Sequence, residues 1–264
     1  MNPLKSLSKL RFENLSLKLS PIIPKKFITF SQYSDFFPFV NNRFSATTLY
    51  AINYSFFIQP KARFSEAIVL SIYDHDGNFL RYCYHALDSN SLFTLINLTP
   101  FLPPNSYGSF SVFHIFDSHF SHSLSAFADR SYIGFTDHDS EFIHFVHGNQ
   151  DAIVFSGDYK FPRLLRASFV PRIYRPQFVF RSNLFYTLIF SNPTKSRLFY
   201  IVKSTDLYGY TFWRSFVILP LGTKLLEFPP QEYPFHLTIL SNHPFPRPLI
   251  ITGHQSQIHD VFHS

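Results

Sequence analysis

The 264 residues include a single cysteine, Cys83, which excludes an internal disulfide framework. Cys83 lies in the mostly apolar run 80–84, and this setting predicts a buried structural thiol instead of a nucleophile. No stretch has the roughly 20 apolar residues that a membrane span needs. The basic segment 1–26 also lacks the apolar run of a secretory signal. We therefore expect a cytoplasmic protein without stable membrane insertion.

Glycine is scarce, and so are the signatures of common catalytic sites. The 8 Gly are outnumbered by 19 Pro, so most turns must use Asn, Asp, Ser or Pro. The sequence has no Gly-x-Ser-x-Gly elbow, no phosphate-binding glycine loop, and no His-Glu-x-x-His or Cys-x-x-Cys pattern. Catalytic residues therefore stay unassigned, and the sequence favours a protein that is not an enzyme.

Aromatic residues, in contrast, are abundant. The chain has 35 Phe and 15 Tyr beside a single Trp and a single Met. With 45% hydrophobic and 15% charged residues, it has the composition of a folded protein with a substantial core. Large aromatic side chains are enriched in strands and bury much area, so the composition favours β-structure.

The clearest pattern is an internal duplication. An Asp-x-x-Gly turn occurs twice between apolar runs, with Asp74 and Gly77 in the first copy and Asp206 and Gly209 in the second. In such turns the Asp side chain caps the backbone and Gly accepts a positive φ. Further matches follow the same order: Thr48, Leu49 and Asn53 with Thr187, Leu188 and Asn192, and Pro103, Pro104 and Tyr107 with Pro229, Pro230 and Tyr233. Ordered matches at nearly constant spacing predict two copies of one unit.

Each copy reads as short strands separated by turn signals about every ten residues, which is typical of a β-sandwich. The prediction is an all-β protein of two tandem, internally duplicated β-sandwich units, Ig-like or jelly-roll-like, with an inserted segment between them. The predicted boundaries are a basic N-terminal segment 1–26, a first unit 27–116, an acidic, His-containing insertion 117–160, and a second unit 161–264 with a His-containing tail.

Charge is segregated along the chain. Segment 1–26 has a net charge of +5, segment 117–151 has −5, and 160–181 has six basic and no acidic residues. This pattern favours an anionic partner, although the acidic and basic stretches would also suit each other within one molecule. Aromatic residues alternate with the arginines, as in proteins that bind single-stranded nucleic acid, but the composition alone produces such alternation, so nucleic acid is disfavoured. The candidate ligand-binding residues are Arg163, Arg166, Arg172, Arg175 and, in a tight turn, Asn149.

Histidine is the residue type that suggests a metal site. Several of the 13 histidines cluster, and imidazoles at this density suit zinc or another transition metal. Alternation along a strand would place two of them, His144 and His147, on opposite faces. The candidate metal ligands are His114, His119, His122, His144 and His147.

Two hypotheses for function follow. The first is a non-enzymatic binding or scaffold protein for a polymer, such as an anionic carbohydrate, or for a protein partner. It needs no cofactor. The alternative is a metal-dependent enzyme that uses the histidines of 114–147 to hold zinc. Long, Phe-rich strands also leave room for an exposed sheet edge that pairs with a second copy, so a homodimer is compatible with the sequence.

Overall fold

The computed structural model describes residues 31–42, 46–53, 56, 66–88, 90–116, 131–136, 143–147, 167–244, 246–254 and 257–263. Within these ranges the chain forms sixteen strands, grouped into four antiparallel sheets of four strands each. In the same ranges no helix is both long and apolar enough to cross a lipid bilayer.

The first unit is built from eight strands. Sheet I has the strand order β1-β6-β3-β4 and sheet II the order β5-β2-β7-β8, with a short 3-10 helix, Thr99–Phe101, after β5. The strands are β1 (Ser31–Asn41), β2 (Ala46–Ile52), β3 (Glu66–Asp74), β4 (Phe79–Ala86), β5 (Phe93–Asn97), β6 (Ser106–Phe116), β7 (Ser131–Thr136) and β8 (His144–His147).

The second unit also has eight strands. Sheet III has the order β12-β11-β14-β9 and sheet IV the order β13-β10-β15-β16. The strands are β9 (Arg172–Tyr174), β10 (Phe185–Ser191), β11 (Leu198–Asp206), β12 (Thr211–Ile218), β13 (Thr223–Phe228), β14 (Phe235–Ser241), β15 (Leu249–His254) and β16 (Gln257–His263).

The two strand orders are the same once eight is added to each strand number. Sheet I maps onto sheet III and sheet II onto sheet IV, strand for strand. The prediction of two tandem, internally duplicated β-sandwich units is confirmed. Strands β7 and β8 lie within the segment 117–160 and extend the sheet formed by β2, as β15 and β16 extend the sheet formed by β10. The predicted domain boundaries stay predictions.

The duplicated Asp-x-x-Gly turns have the same geometry in both units. The Asp74 Oδ1 atom accepts hydrogen bonds from the backbone N–H groups two and four residues later, at 2.9 and 2.8 Å. Asp206 does the same at 2.9 Å for both bonds. Gly77 and Gly209 both have φ +85°, a conformation that residues with a Cβ rarely adopt. The residues that the turn requires are therefore the ones the two copies share.

Two large hydrophobic cores and a smaller cluster are present in the described part of the chain. The core of the second unit lies between sheets III and IV and includes Tyr186, Leu188 and Val202. The other core fills the first unit and continues onto the opposite face of sheet IV, where Ile189 and Ile251 belong to it. Sheet IV is therefore buried on both faces, and the two units share one apolar core.

A second contact between the units involves the Asp-x-x-Gly turn of the first unit. The His75 carbonyl accepts a hydrogen bond from the Thr223 N–H at 2.9 Å, and the Ser109 hydroxyl donates one to the Leu221 carbonyl. A Cβ on Gly77 would collide with the Pro220 carbonyl oxygen, whereas one on Gly209 would meet nothing within 4 Å. The same turn therefore lies at the junction in one unit and in solvent in the other.

Candidate binding face

The outer faces of the two equivalent sheets differ in exposure. In sheet I, both faces of β3 are buried, including Ala67, Val69 and Ser71 on its outer face, all at 0% exposure. In sheet III, the outer face lies open to solvent: Trp213 is 57% exposed and Val217 is 58% exposed. We define the sheet III face as the outward side chains of β9, β11, β12 and β14.

The strand register arranges these side chains in rows across the sheet. One row runs from Trp213 to Lys203 and Thr238. The next row crosses all four strands and ends at Ile173, which is 63% exposed. Its members are Ser215, Ile201, Leu240 and Ile173. Since neighbouring strands lie about 4.8 Å apart, the four strands make a surface roughly 15 Å wide. The sheet III face thus combines apolar and polar side chains and is bordered by the only Trp in the chain.

Cations lie against the aromatic rings of β12 on both sides of the strand. On the sheet III face, the Lys203 ammonium is 5.3 Å from the centre of the Trp213 ring. On the opposite side of β12, the Arg214 guanidinium is 4.4 Å from the centre of the Phe212 ring. Both distances are within the range of favourable cation–π contacts. The Lys203 ammonium keeps hydrogen-bond donors for a ligand, because ring faces do not use them.

The second unit is also basic as a whole. Residues 167–263 contain nine Lys and Arg against four Asp and Glu. Within the described part of this unit, no Lys or Arg lies within salt-bridge distance of a described carboxylate. An excess of basic over acidic residues attracts an anionic partner at long range.

Exposed aromatic residues continue from β12 to the turn that precedes it. Tyr208 and Tyr210 are 68% and 78% exposed, and the Tyr208 ring meets the Tyr233 ring edge-on at 5.0 Å. A hydrogen bond with Glu232 raises the pKa of the Tyr233 hydroxyl. These tyrosine rings are not part of the buried core of the second unit.

The arginines predicted to bind ligand lie partly on this unit. Arg172 is exposed in β9, at the edge of sheet III opposite β12, and Arg175 is exposed just after that strand. Arg163, Arg166 and Asn149 lie outside the described residues. The structure therefore places two of the five candidates at this edge of sheet III, with the Arg172 side chain on the side opposite to Ile173, and their role in binding stays a prediction.

The predicted metal ligands do not gather in the part of the chain that is described. His114 is buried in β6, where its Nδ1 atom lies 2.8 Å from the Glu66 Oε1 atom. His144 and His147 are three residues apart in β8 and so point to opposite faces, as expected. The described ranges contain no group of three or more His, Cys, Asp or Glu that suits a metal. His119 and His122 lie outside those ranges, so the zinc site stays a prediction that elemental analysis would test.

Cys83 is buried at 7% exposure on β4. Burial raises the pKa of its thiol to about 11, and the positive charge of Arg81 only partly opposes this. A thiol that stays protonated at neutral pH is a poor nucleophile. The interpretation of Cys83 as a structural residue agrees with its position.

Sequence reasoning missed the pairing of Trp213 with Lys203. The signal was the single Trp within 211–218, a run in which alternate residues do not separate into apolar and polar sets. That pattern is unusual for a strand with one buried face. It would have marked β12 as a strand whose solvent-facing side carries large apolar residues.

Comparisons with known proteins find little. No family model and no curated protein matches the chain. Among solved structures, it is similar to a beta-glucuronidase from glycoside hydrolase family 2, at 7% identity and a TM-score of 0.22, covering 89% of this chain and 23% of that one. It is also similar to a glycosyl hydrolase family 2 member from Bacteroides cellulosilyticus, at 6% identity and a TM-score of 0.24, covering 97% and 29%. The chain spans less than a third of either protein, and likeness at this level carries no argument about function.

Proposed function

We propose that this protein is a non-enzymatic binding protein whose sheet III face binds an anionic polysaccharide. The observation that carries the proposal is the exposed Trp213 ring with the Lys203 ammonium beside it on the outer face of sheet III. Isolated exposed apolar residues are common, but a contiguous exposed patch of this kind is typical of an interaction site.

The chemistry of the face suits a chain of acidic sugars. An aromatic ring offers a flat apolar surface for the C–H groups of a sugar ring, and its negative π-face favours polarised C–H bonds. Lysine and arginine pair with carboxylate or sulfate groups through charge-assisted hydrogen bonds. An open sheet surface contacts a ligand along its length, which favours an extended polymer over the small ligands that pockets enclose.

The single Trp makes binding measurable without a label. Titration of the protein with polygalacturonate should change the fluorescence of Trp213, whereas uncharged dextran should not. Replacing Lys203 by Gln should weaken binding about tenfold, because one charged hydrogen bond contributes about 1.5 kcal/mol. Replacing Lys224 by Gln is the matched control, since Lys224 is exposed on β13 of the other sheet and carries the same charge.

The outcomes separate the alternatives. Equal loss of binding in both lysine variants would show that total charge matters and the sheet III face does not. Tighter binding of single-stranded DNA than of polygalacturonate would assign the face to nucleic acid. Shortening of the polymer during incubation would show an enzyme.

The cytoplasmic location is proposed separately. The lone, buried Cys83 supports it, because a protein without disulfides suits a reducing compartment. Fractionation of cells that express the full chain tests it, and recovery outside the cell would overturn it. The location also determines which anionic polymers or acidic proteins are present to bind the sheet III face.

A further inference from the structure

Among the described strands, β12 is an open edge of sheet III. It pairs with β11 on one side, and seven of its eight residues are exposed or half-buried. We propose that β12 pairs antiparallel with β12 of a second copy of this chain, which joins two copies of sheet III into one continuous eight-stranded sheet. This inference uses no polysaccharide and does not rest on the proposed function.

The hydrogen-bond pattern shows which backbone groups of β12 face the open edge. The Asp206 N–H donates to the Tyr210 carbonyl, so these two residues form a hydrogen-bonded pair. Hydrogen-bonded and non-hydrogen-bonded pairs alternate along an antiparallel ladder. The even-numbered residues of β12 therefore bond to β11, and the N–H and C=O groups of Trp213, Ser215 and Val217 point away from the sheet.

The side chains of β12 are self-complementary in one register. With the two-fold axis at Ser215, each Ser215 faces its counterpart, and Trp213 of one copy lies opposite Val217 of the other. Opposed residues then share a face, since both have odd numbers, so both sandwiches lie on the same side of the joined sheet. Aromatic residues opposite β-branched ones stabilise antiparallel pairs, and no like charges are opposed. Arg214 lies opposite Phe216, which suits a cation–π contact.

The other long edge strands carry features that discourage such pairing. β1 contains Pro38 and a break in register, and the ladders of β4 and β16 are also irregular. β13 presents Lys224 and Glu227 at exposed positions. Bulges, prolines and charges are the usual protection of an edge. β12 has a regular ladder and a single charge, so it is the edge best suited to pair with a second copy.

Replacing Ser215 by Cys tests the register directly. Residues in a hydrogen-bonded antiparallel pair have Cα atoms about 5.5 Å apart, which falls within the range that a disulfide spans. The Ser215→Cys chain should therefore form a covalent dimer under mild oxidation. Thr211→Cys is the control, because the proposed register separates the two copies of that position by about 27 Å. The native Cys83 should not interfere, since it is buried and its thiol stays protonated.

Light scattering on the unmodified chain gives the second measurement. The expected mass is twice 30.9 kDa at high protein concentration and falls towards 30.9 kDa on dilution. Val217→Pro removes a backbone N–H that faces the open edge and not β11, so it should weaken association at least tenfold while circular dichroism confirms the β-fold. A monomer at all concentrations, or equal cross-linking of the Ser215→Cys and Thr211→Cys chains, would overturn the proposal.

Discussion

Alanine at Gly77 and alanine at Gly209 should have different effects, although the two glycines occupy equivalent turns. Both have φ +85°, so each variant places a Cβ in the left-handed region. The new Cβ at Gly209 meets nothing within 4 Å, whereas the one at Gly77 meets the carbonyl oxygen of Pro220 in the other unit. The difference between the variants therefore isolates the junction.

The left-handed backbone conformation destabilises both alanine variants by about 1–2 kcal/mol. For Gly209→Ala we expect no more than this. For Gly77→Ala the collision adds about 1–3 kcal/mol of overpacking. Displacing the turn also weakens the His75–Thr223 hydrogen bond, which contributes about 1 kcal/mol. The expected gap between the variants is about 2–4 kcal/mol.

Urea unfolding followed by two probes measures this gap. Trp213 fluorescence reports the second unit, and circular dichroism reports the strands of both. With an m-value of about 3 kcal/mol/M, the midpoint for Gly77→Ala should lie about 1 M below that for Gly209→Ala. Equal midpoints for the two variants would refute the reasoning, because the junction would then contribute nothing to stability.

Two further predictions concern buried residues. Replacing Asn192 by Ala should lower the free energy of unfolding, measured with heat or urea, by about 3 kcal/mol. The reason is that its fully buried amide donates hydrogen bonds to two carbonyls and accepts two from Thr194. A loss below 1 kcal/mol would contradict this. At pH 8, Cys83 should react with iodoacetamide at least tenfold more slowly in the native protein than in urea, and equal rates would contradict its burial. Since folding raises the pKa of this thiol, its contribution to stability is present below pH 9 and is lost as the pH rises towards 11.

Much of the fold could be predicted from the sequence because its turns are chemically explicit. Asp74 and Gly77, with their counterparts Asp206 and Gly209, define hairpins whose strands are those of the structure. The repeat was also visible in the sequence, because buried residues such as Asn192 have a counterpart, here Asn53, in the other copy. Local chemistry of this kind is encoded in neighbouring residues.

The candidate site could not be predicted in the same way. Whether a strand such as β12 lies at an edge depends on which strands pair, and this is not encoded within the strand itself. The exposed position of Trp213 follows from that pairing and from the solvent on the outer side of sheet III. The abundance of Phe hid the signal, because aromatic residues in this chain occur on buried and exposed strands alike. Histidine density could not be judged in the same way, since His114 lies in the interior beside Glu66 while His119 and His122 lie outside the described residues, so the metal site stays a prediction.

The junction between the units has an evolutionary consequence. After duplication, the chain contained two copies of the Asp-x-x-Gly turn, and one of them packs against the other unit. The copy at Gly77 is held by its neighbour, so changes there are constrained twice. The copy at Gly209 is constrained only by its own backbone, which leaves the positions now occupied by Leu207 and Tyr208 open to selection for surface properties. A repeat of this kind supplies a protected copy that keeps the fold and a spare one in which new surface chemistry can accumulate.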